Sequence, residues 1–281
     1  MAIFKYSNSI YKMSISNNIS VLYKVVGVAV LCALFSVKSL ANPTNILVGL
    51  EPFPPLVNED GSGFVIDMLN GLQENSTLTF NYQIMTYARA KLELKSYRID
   101  MVGLTPKDSE TESFYQYAQE LSWHFDTTVD LYSTSPANFD IKNLPEGSIG
   151  TLIGNADFFA ELAQVPREKF VEVSSLAQLI MMMARGRLKV ILFERVAMMS
   201  TIKELQDDLS TKVPTEFNSP ESPQKIYYQK FKVIAASLAV ANDSVGAKLK
   251  KQLDALLSDD TAHYFKKIAP YAKLPDNGII E

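Results

Sequence analysis

Two successive blocks of apolar strands alternating with amphipathic helices constrain this chain more than any other feature of its sequence. A short run that is apolar throughout needs cover on both faces, and intervening helices supply it. The pattern therefore implies parallel α/β sheets with helices packed on them. In the first block, Asn45–Gly49 reads NILVG between turn residues and is predicted to be a strand. A loop rich in Pro, Asp and Gly follows over 51–63. Val65, Met68, Leu69 and Leu72 then recur at helical spacing from about Phe64. Thr79–Met85 alternates as a strand, Arg89–Tyr97 is predicted as a helix, and Ile99–Leu104 and Thr127–Ser133 as strands. The second block begins after Pro136. It has strands at Ser148–Ile153, Phe170–Val173 and Val190–Phe193, each followed by a helix. Ser174-Ser175 caps the second of these helices and Gly186 stops it. The third is predicted to run to about Leu205. A further strand is expected at 213–217 and a polar loop at 218–225. Lys232–Val240 reads as a strand. Asp243-Ser244 caps a helix carrying Val245, Leu249, Leu253 and Leu256, and a last helix covers Thr261–Tyr271.

The first forty residues stand apart from this pattern. Val25–Val37 is an uncharged apolar run of 13 residues, preceded by Lys5, Lys12 and Lys24 and by no acidic residue. It is short for a membrane span, which needs about 20 residues. Ser39-Leu40-Ala41 offers the small residues that a signal peptidase reads. Residues 1–41 are therefore expected to be a cleaved secretory signal peptide, with Met13 an alternative start. Removing them takes Lys+Arg from 27 to 23 against 31 Asp+Glu, and the formal charge from −4 to −8. The single cysteine, Cys32, leaves with the leader. A secreted chain without disulfides must be held by its core, which suits a bacterial periplasm.

The remaining composition excludes several functions. An acidic chain is a poor generic binder of nucleic acid. Two histidines far apart and no cysteine leave nothing for an all-protein zinc site. The chain contains no G-x-S-x-G, G-x-x-x-x-G-K or H-E-x-x-H pattern. No cofactor is implied.

Four stretches carry a family resemblance. They are Gly49-Leu50-Glu51-Pro52-Phe53-Pro54-Pro55 with Gly63–Leu69, Ile99–Thr105, Ile149–Asn155, and Leu238–Val240 through Thr261. In their order and spacing they resemble the family 3 extracellular solute-binding proteins, the periplasmic receptors of polar amino acid ABC transporters. The resemblance spans nearly all of residues 44–270. It implies a two-lobed α/β fold, the type II periplasmic binding protein fold, with a cleft between the lobes. The implied division is lobe 1 from 42 to 130, lobe 2 from 131 to 228, and a C-terminal return to lobe 1 over 229–281. The crossings are expected near Thr128–Tyr132 and Tyr227–Ile234. Binding would close the cleft by hinge motion.

The resemblance and the residues together name candidate ligand contacts. The family carries an arginine in the loop after Thr105, and here that loop has none. Lys107 is a possible point charge, against a merely solvated loop. Arg89, beside Tyr87 at a helix start, is the better cation and is expected to reach the cleft, against the alternative of a surface helix residue. Glu194 follows an apolar strand where the family places an acid for the ligand ammonium; the alternative is a carboxylate at a helix N-terminus. Phe53 is placed to stack on a ligand, or to pack on its neighbouring prolines. Thr105 offers a hydroxyl, and Gly154-Asn155 offer a turn at the start of a helix. Glu51 is a candidate for holding a cation. Trp123-His124-Phe125 and Met181-Met182-Met183 read as packing, and His263 as a surface residue.

The leading expectation is a monomeric periplasmic protein that captures a small polar solute, amino-acid-like or an amine, for an inner-membrane ABC permease. One alternative is a sensor feeding a membrane signalling receptor. Another is an enzyme on the same fold, dehydratase-like, with Glu194 as general acid.

Overall fold

The computed structural model describes residues 44–74, 76–211, 225–257, 261–266 and 268–280. The leader over 1–41, the strand expected at 213–217 and most of the 218–225 loop lie outside them.

In chain order the elements are β1 (Thr44–Leu50), α1 (Phe64–Gln73), β2 (Leu78–Ile84), α2 (Tyr87–Lys95), β3 (Met101–Pro106), β4 (Ala118–Glu120) and β5 (Phe125–Ser133). Then come β6 (Ile149–Leu152), α3 (Ala156–Ala163), β7 (Phe170–Val173), α4 (Leu176–Ala184), β8 (Val190–Glu194) and α5 (Arg195–Thr211). The chain closes with β9 (Ile226–Ala241), α6 (Ser244–Leu256) and β10 (Asn277–Ile280).

Local signals act where expected. Ser175 accepts the Gln178 N–H at 3.2 Å, and Asp243 accepts those of Val245 and Gly246 at 2.9 and 2.8 Å. These side chains satisfy amides that the first helical turn leaves without partners. Gly186, at φ +69°, takes the left-handed position that ends α4. Within α6 the inward face is Gly246, Leu249 and Leu253, whereas Val245 is turned out to solvent. The last expected helix is broken into a 3₁₀ turn at Ala262–Phe265 and one α turn at Ala269–Ala272. Pro270 lacks an N–H and cannot continue a helix from the turn before it.

The strands join into one sheet in the order β2-β1-β3-β9-β5-β8-β6-β7. Its two ends are parallel triplets, β2-β1-β3 and β8-β6-β7. The middle is antiparallel, through β3–β9, β9–β5 and β5–β8. The expected parallel pairing holds within each triplet, and the join between them is antiparallel. β5 leaves the first triplet for the second and β9 comes back, so the two must run in opposite directions. Each triplet has its own core. Val48, Leu50, Met68, Leu69, Leu238 and Leu253 gather between the first triplet and helices α1 and α6. Tyr87, Ala90 and Leu94 of α2 cover its other face. Phe158, Leu179, Ile180, Ile191 and Met198 centre the second core. The chain is thus a two-lobed α/β structure, with β5 and β9 passing between lobes.

Candidate functional site between the two lobes

In an open α/β sheet, ligands bind beyond the carboxyl ends of strands, where the strand order reverses. β1 and β6 are the middle strands of their triplets, so the reversal falls at their ends. Glu51 is the first residue past β1, and Gly154 and Asn155 stand just past β6. The two ends meet. Asn155 Nδ2 donates to Glu51 Oε1 and Oε2 at 3.4 and 3.3 Å. The Ala88 N–H donates to the Ile153 carbonyl at 3.3 Å. Lys91 Nζ donates to the Gly154 carbonyl at 2.9 Å and to Glu110 Oε1 at 3.3 Å. The Tyr87 hydroxyl donates to the same Glu110 oxygen at 2.8 Å, and the Lys91 ammonium lies 4.3 Å from the Tyr87 ring centre. On the far side, Glu172 accepts the N–H groups of Gly154 and Ala156 at 2.8 and 3.1 Å.

Glu51 is the unusual member. It is 5% exposed, and its side-chain donor is a single amide at long range. Burial pushes its carboxyl up to about 8, although Asn155, the Tyr87 backbone and Lys91 each pull it down. Lys91 is already engaged by Glu110. Glu51 is therefore a buried acid short of a counter-charge.

Glu194 is equally buried, but its oxygens are taken. One accepts from the Thr127 hydroxyl, and the other accepts the Ala197 N–H at 2.8 Å as a cap on α5. Burial lifts it to about 7, against those hydrogen bonds.

The other candidates separate. Tyr87 and Asn155 belong to the cluster. Phe53 lies half-buried between the two cores, its ring 5.5 Å from that of Phe193. Thr105 is fully buried on β3 beside Glu120. Lys107 is tied to the Leu121 carbonyl at 2.7 Å. Arg89 does not reach into the cleft: its side chain is 68% exposed and pairs with Glu93 at 3.5 Å. Tyr87, Ala90 and Leu94 occupy the inward face of α2, which turns Arg89 outward. Lys91, one turn on from Tyr87, is the cation that the helix aims inward. Its i,i+4 spacing from Tyr87 was the available signal. Glu110 and Glu172 carried none. Trp123 packs on Phe125 and Phe265, and Met183 is core. Among the described residues no group of His, Cys, Asp and Glu is arranged to hold a metal ion.

Gly154 lets the lobes approach. Its φ is +100°, and a Cβ there would stand 2.8 Å from the Ala88 Cα. Gly154→Val is expected to hold the lobes apart, raising the radius of gyration in small-angle scattering. Overpacking at such a contact costs about 1–3 kcal/mol. Unchanged compactness would show that the approach at Ala88 is dispensable.

No family model matches the chain, and no curated protein matches it in sequence. Solved structures do match in fold. The substrate-binding protein of an amino acid ABC transporter superposes with a TM-score of 0.57 at 17% identity, over 82% of this chain and 100% of that one. A substrate-binding protein of an ABC uptake transporter from Streptococcus pneumoniae, with bound histidine, gives 0.58 at 18%, over 83% and 93%. A histidine kinase sensor domain similar to periplasmic binding proteins gives 0.58 at 14%, over 83% and 97%. The chain has the type II periplasmic binding protein fold that these proteins share.

Proposed function

We propose that this protein is a periplasmic receptor that captures a small polar solute carrying a basic group and delivers it to an inner-membrane ABC transporter. The observation that carries the reading is Glu51, a buried carboxyl short of a counter-charge at the meeting point of the two lobes. A solute ammonium or guanidinium would supply that charge. Phe53, Tyr87 and Asn155 would wall the solute, and closure of lobe 2 (131–228) on lobe 1 (42–130 and 229–281) would enclose it. Glu194 acts through Thr127 and the cap of α5 rather than by contact, which leaves the dehydratase reading without a free acid there. The leader over 1–41 would export the chain. No helix among the described residues is long and apolar enough to cross a membrane.

The test is calorimetric titration with basic amino acids and polyamines, with dicarboxylates as controls. Pairing with a cation requires Glu51 to release its proton, so binding is expected to liberate protons at pH 7. Affinity should rise with pH up to about 8. Glu51→Gln is expected to weaken binding by about 2–5 kcal/mol, at least about thirtyfold. Equal affinity for dicarboxylates, or an unaffected Glu51→Gln variant, would overturn the reading.

A second reading is sensing, favoured by the likeness to a histidine kinase sensor domain. Permease and ATPase genes beside this one would support transport, and a lone receptor kinase or cyclase gene would support sensing.

A further inference from the structure

A separate hollow lies where the two crossing strands meet the start of α5 and the C-terminal segment. Its volume is about 340 Å³, and none of Glu51, Phe53, Tyr87 or Asn155 lines it. That volume is at the low end of the range in which proteins hold small molecules, roughly 300–1,000 Å³. Phe125, Val196, Val233, Phe265 and Ile268 form an apolar wall. The rings of Phe125 and Phe265 stack with centres 4.8 Å apart, and Val233 is left 47% exposed. Arg195 shapes the hollow without offering it a charge, because Asp130 and the Leu274 carbonyl hold its guanidinium. Asp126 also lines it; this residue is exposed, and no ion pair or side-chain hydrogen bond holds its carboxylate among the described residues. The hollow thus combines an aromatic and aliphatic wall with one solvent-facing carboxylate at its rim.

We propose that this hollow is a second binding site, for a small aromatic amine. The apolar wall would take the ring, and Asp126 would face the ammonium. A ligand there touches Phe125 and Phe265 beside the first core, β5 and β9 between the lobes, and the start of α5.

Trp123, the only tryptophan in the chain, packs against Phe125 and Phe265 with ring centres 5.8 and 5.9 Å away. Its fluorescence therefore reports on the wall. The experiment titrates the full mature chain with phenethylamine, phenethyl alcohol and 3-phenylpropionate, reading Trp123 emission and calorimetric heat together. Phenethylamine is expected to give saturable binding, roughly three- to fivefold tighter than the alcohol and tighter still than the acid, as befits an exposed charge pair. Asp126→Asn is expected to make the amine and the alcohol equal. Val233→Arg, at a half-exposed position that tolerates substitution, is expected to abolish amine binding. Glu51→Gln is expected to leave it unchanged, so the two sites stand or fall separately. The proposal is overturned if phenethylamine gives no saturable response, if Asp126→Asn keeps the preference for the amine, or if Glu51→Gln removes the binding.

Discussion

Arg195→Met is expected to destabilise the protein by about 3–5 kcal/mol, because it strands a buried carboxylate. Asp130 is 0% exposed and Arg195 is 2% exposed. They pair in bidentate fashion, Nε to Oδ2 at 2.6 Å and Nη2 to Oδ1 at 2.8 Å. The Tyr132 hydroxyl donates to Asp130 at 3.2 Å, and Arg195 Nη1 donates to the Leu274 carbonyl at 3.1 Å. The guanidinium also lies 5.6 Å from the Tyr228 ring centre. One side chain thus links β5, α5, β9 and the C-terminal segment. Methionine keeps much of the volume but leaves Asp130 without its cation. Burial already lifts the Asp130 carboxyl above its ordinary range despite the guanidinium against it. Without Arg195 the acid is expected to take up a proton on folding, so the loss should be larger at pH 7 than at pH 4. The double variant Asp130→Asn with Arg195→Met should recover at least about half of the loss, since no charge is then left buried. Urea denaturation measures all three. A single-variant loss below about 1 kcal/mol would mean that the pair contributes no more than a surface salt bridge does.

Folded stability is expected to fall as pH rises from about 4.5 to about 8, and Glu51→Gln to remove about half of that slope. A carboxyl raised by burial holds its proton more tightly in the folded chain than in the unfolded one. Below the unfolded value both states are protonated and the stability is fully present. Above it the unfolded chain ionises freely while the folded chain resists, so stability is lost up to the folded value. For Glu51 the loss is about 3–5 kcal/mol across that window. Glu194, raised to about 7, adds to it with the same sign. At pH 8 the Glu51→Gln variant should therefore be the more stable protein in urea. Near pH 4.5 the two should coincide. Parallel curves for parent and variant would show that Glu51 is neutralised by some other route. A saturating basic solute should flatten the parent's curve too, since it would pay the cost of ionising Glu51.

Much of the fold was legible because its signals are local. Ser175, Asp243 and Gly186 act within a turn of their own helices, and the strands of both triplets are short apolar or alternating runs that need no partner to be seen. The antiparallel join was not legible. Whether a strand runs with or against its neighbour depends on which strand the chain returns to, 94 to 111 residues later for the paired residues of β5 and β9. The broken last helix was in principle readable from Pro270. Of the candidate site, the place was legible more than the residues. The ends of β1 and β6 were identified, and with them Glu51 and Asn155. On α2 the expectation fell on Arg89, but an N-terminal position does not say which face of a helix is inward; Ala90 and Leu94 decided that, and with it Lys91.

The amino-acid sequence by itself determined most of the order of strands and helices, though not β4, β10 or the break in the last helix, together with the caps and the strand ends at which a site could form. Periodicity and capping are properties of neighbouring residues. Tertiary structure alone decided which side chains meet there and in what charge state. Glu51 and Asn155 are 104 residues apart, and Asp130 and Arg195 are 65 apart. A carboxyl's proton affinity depends on how much water its neighbours exclude, and those neighbours come from strands and helices that are remote in the chain. Three acids show the result: Glu51 is left short of a counter-charge, Glu194 is absorbed into a helix cap, and Asp130 is held by an arginine.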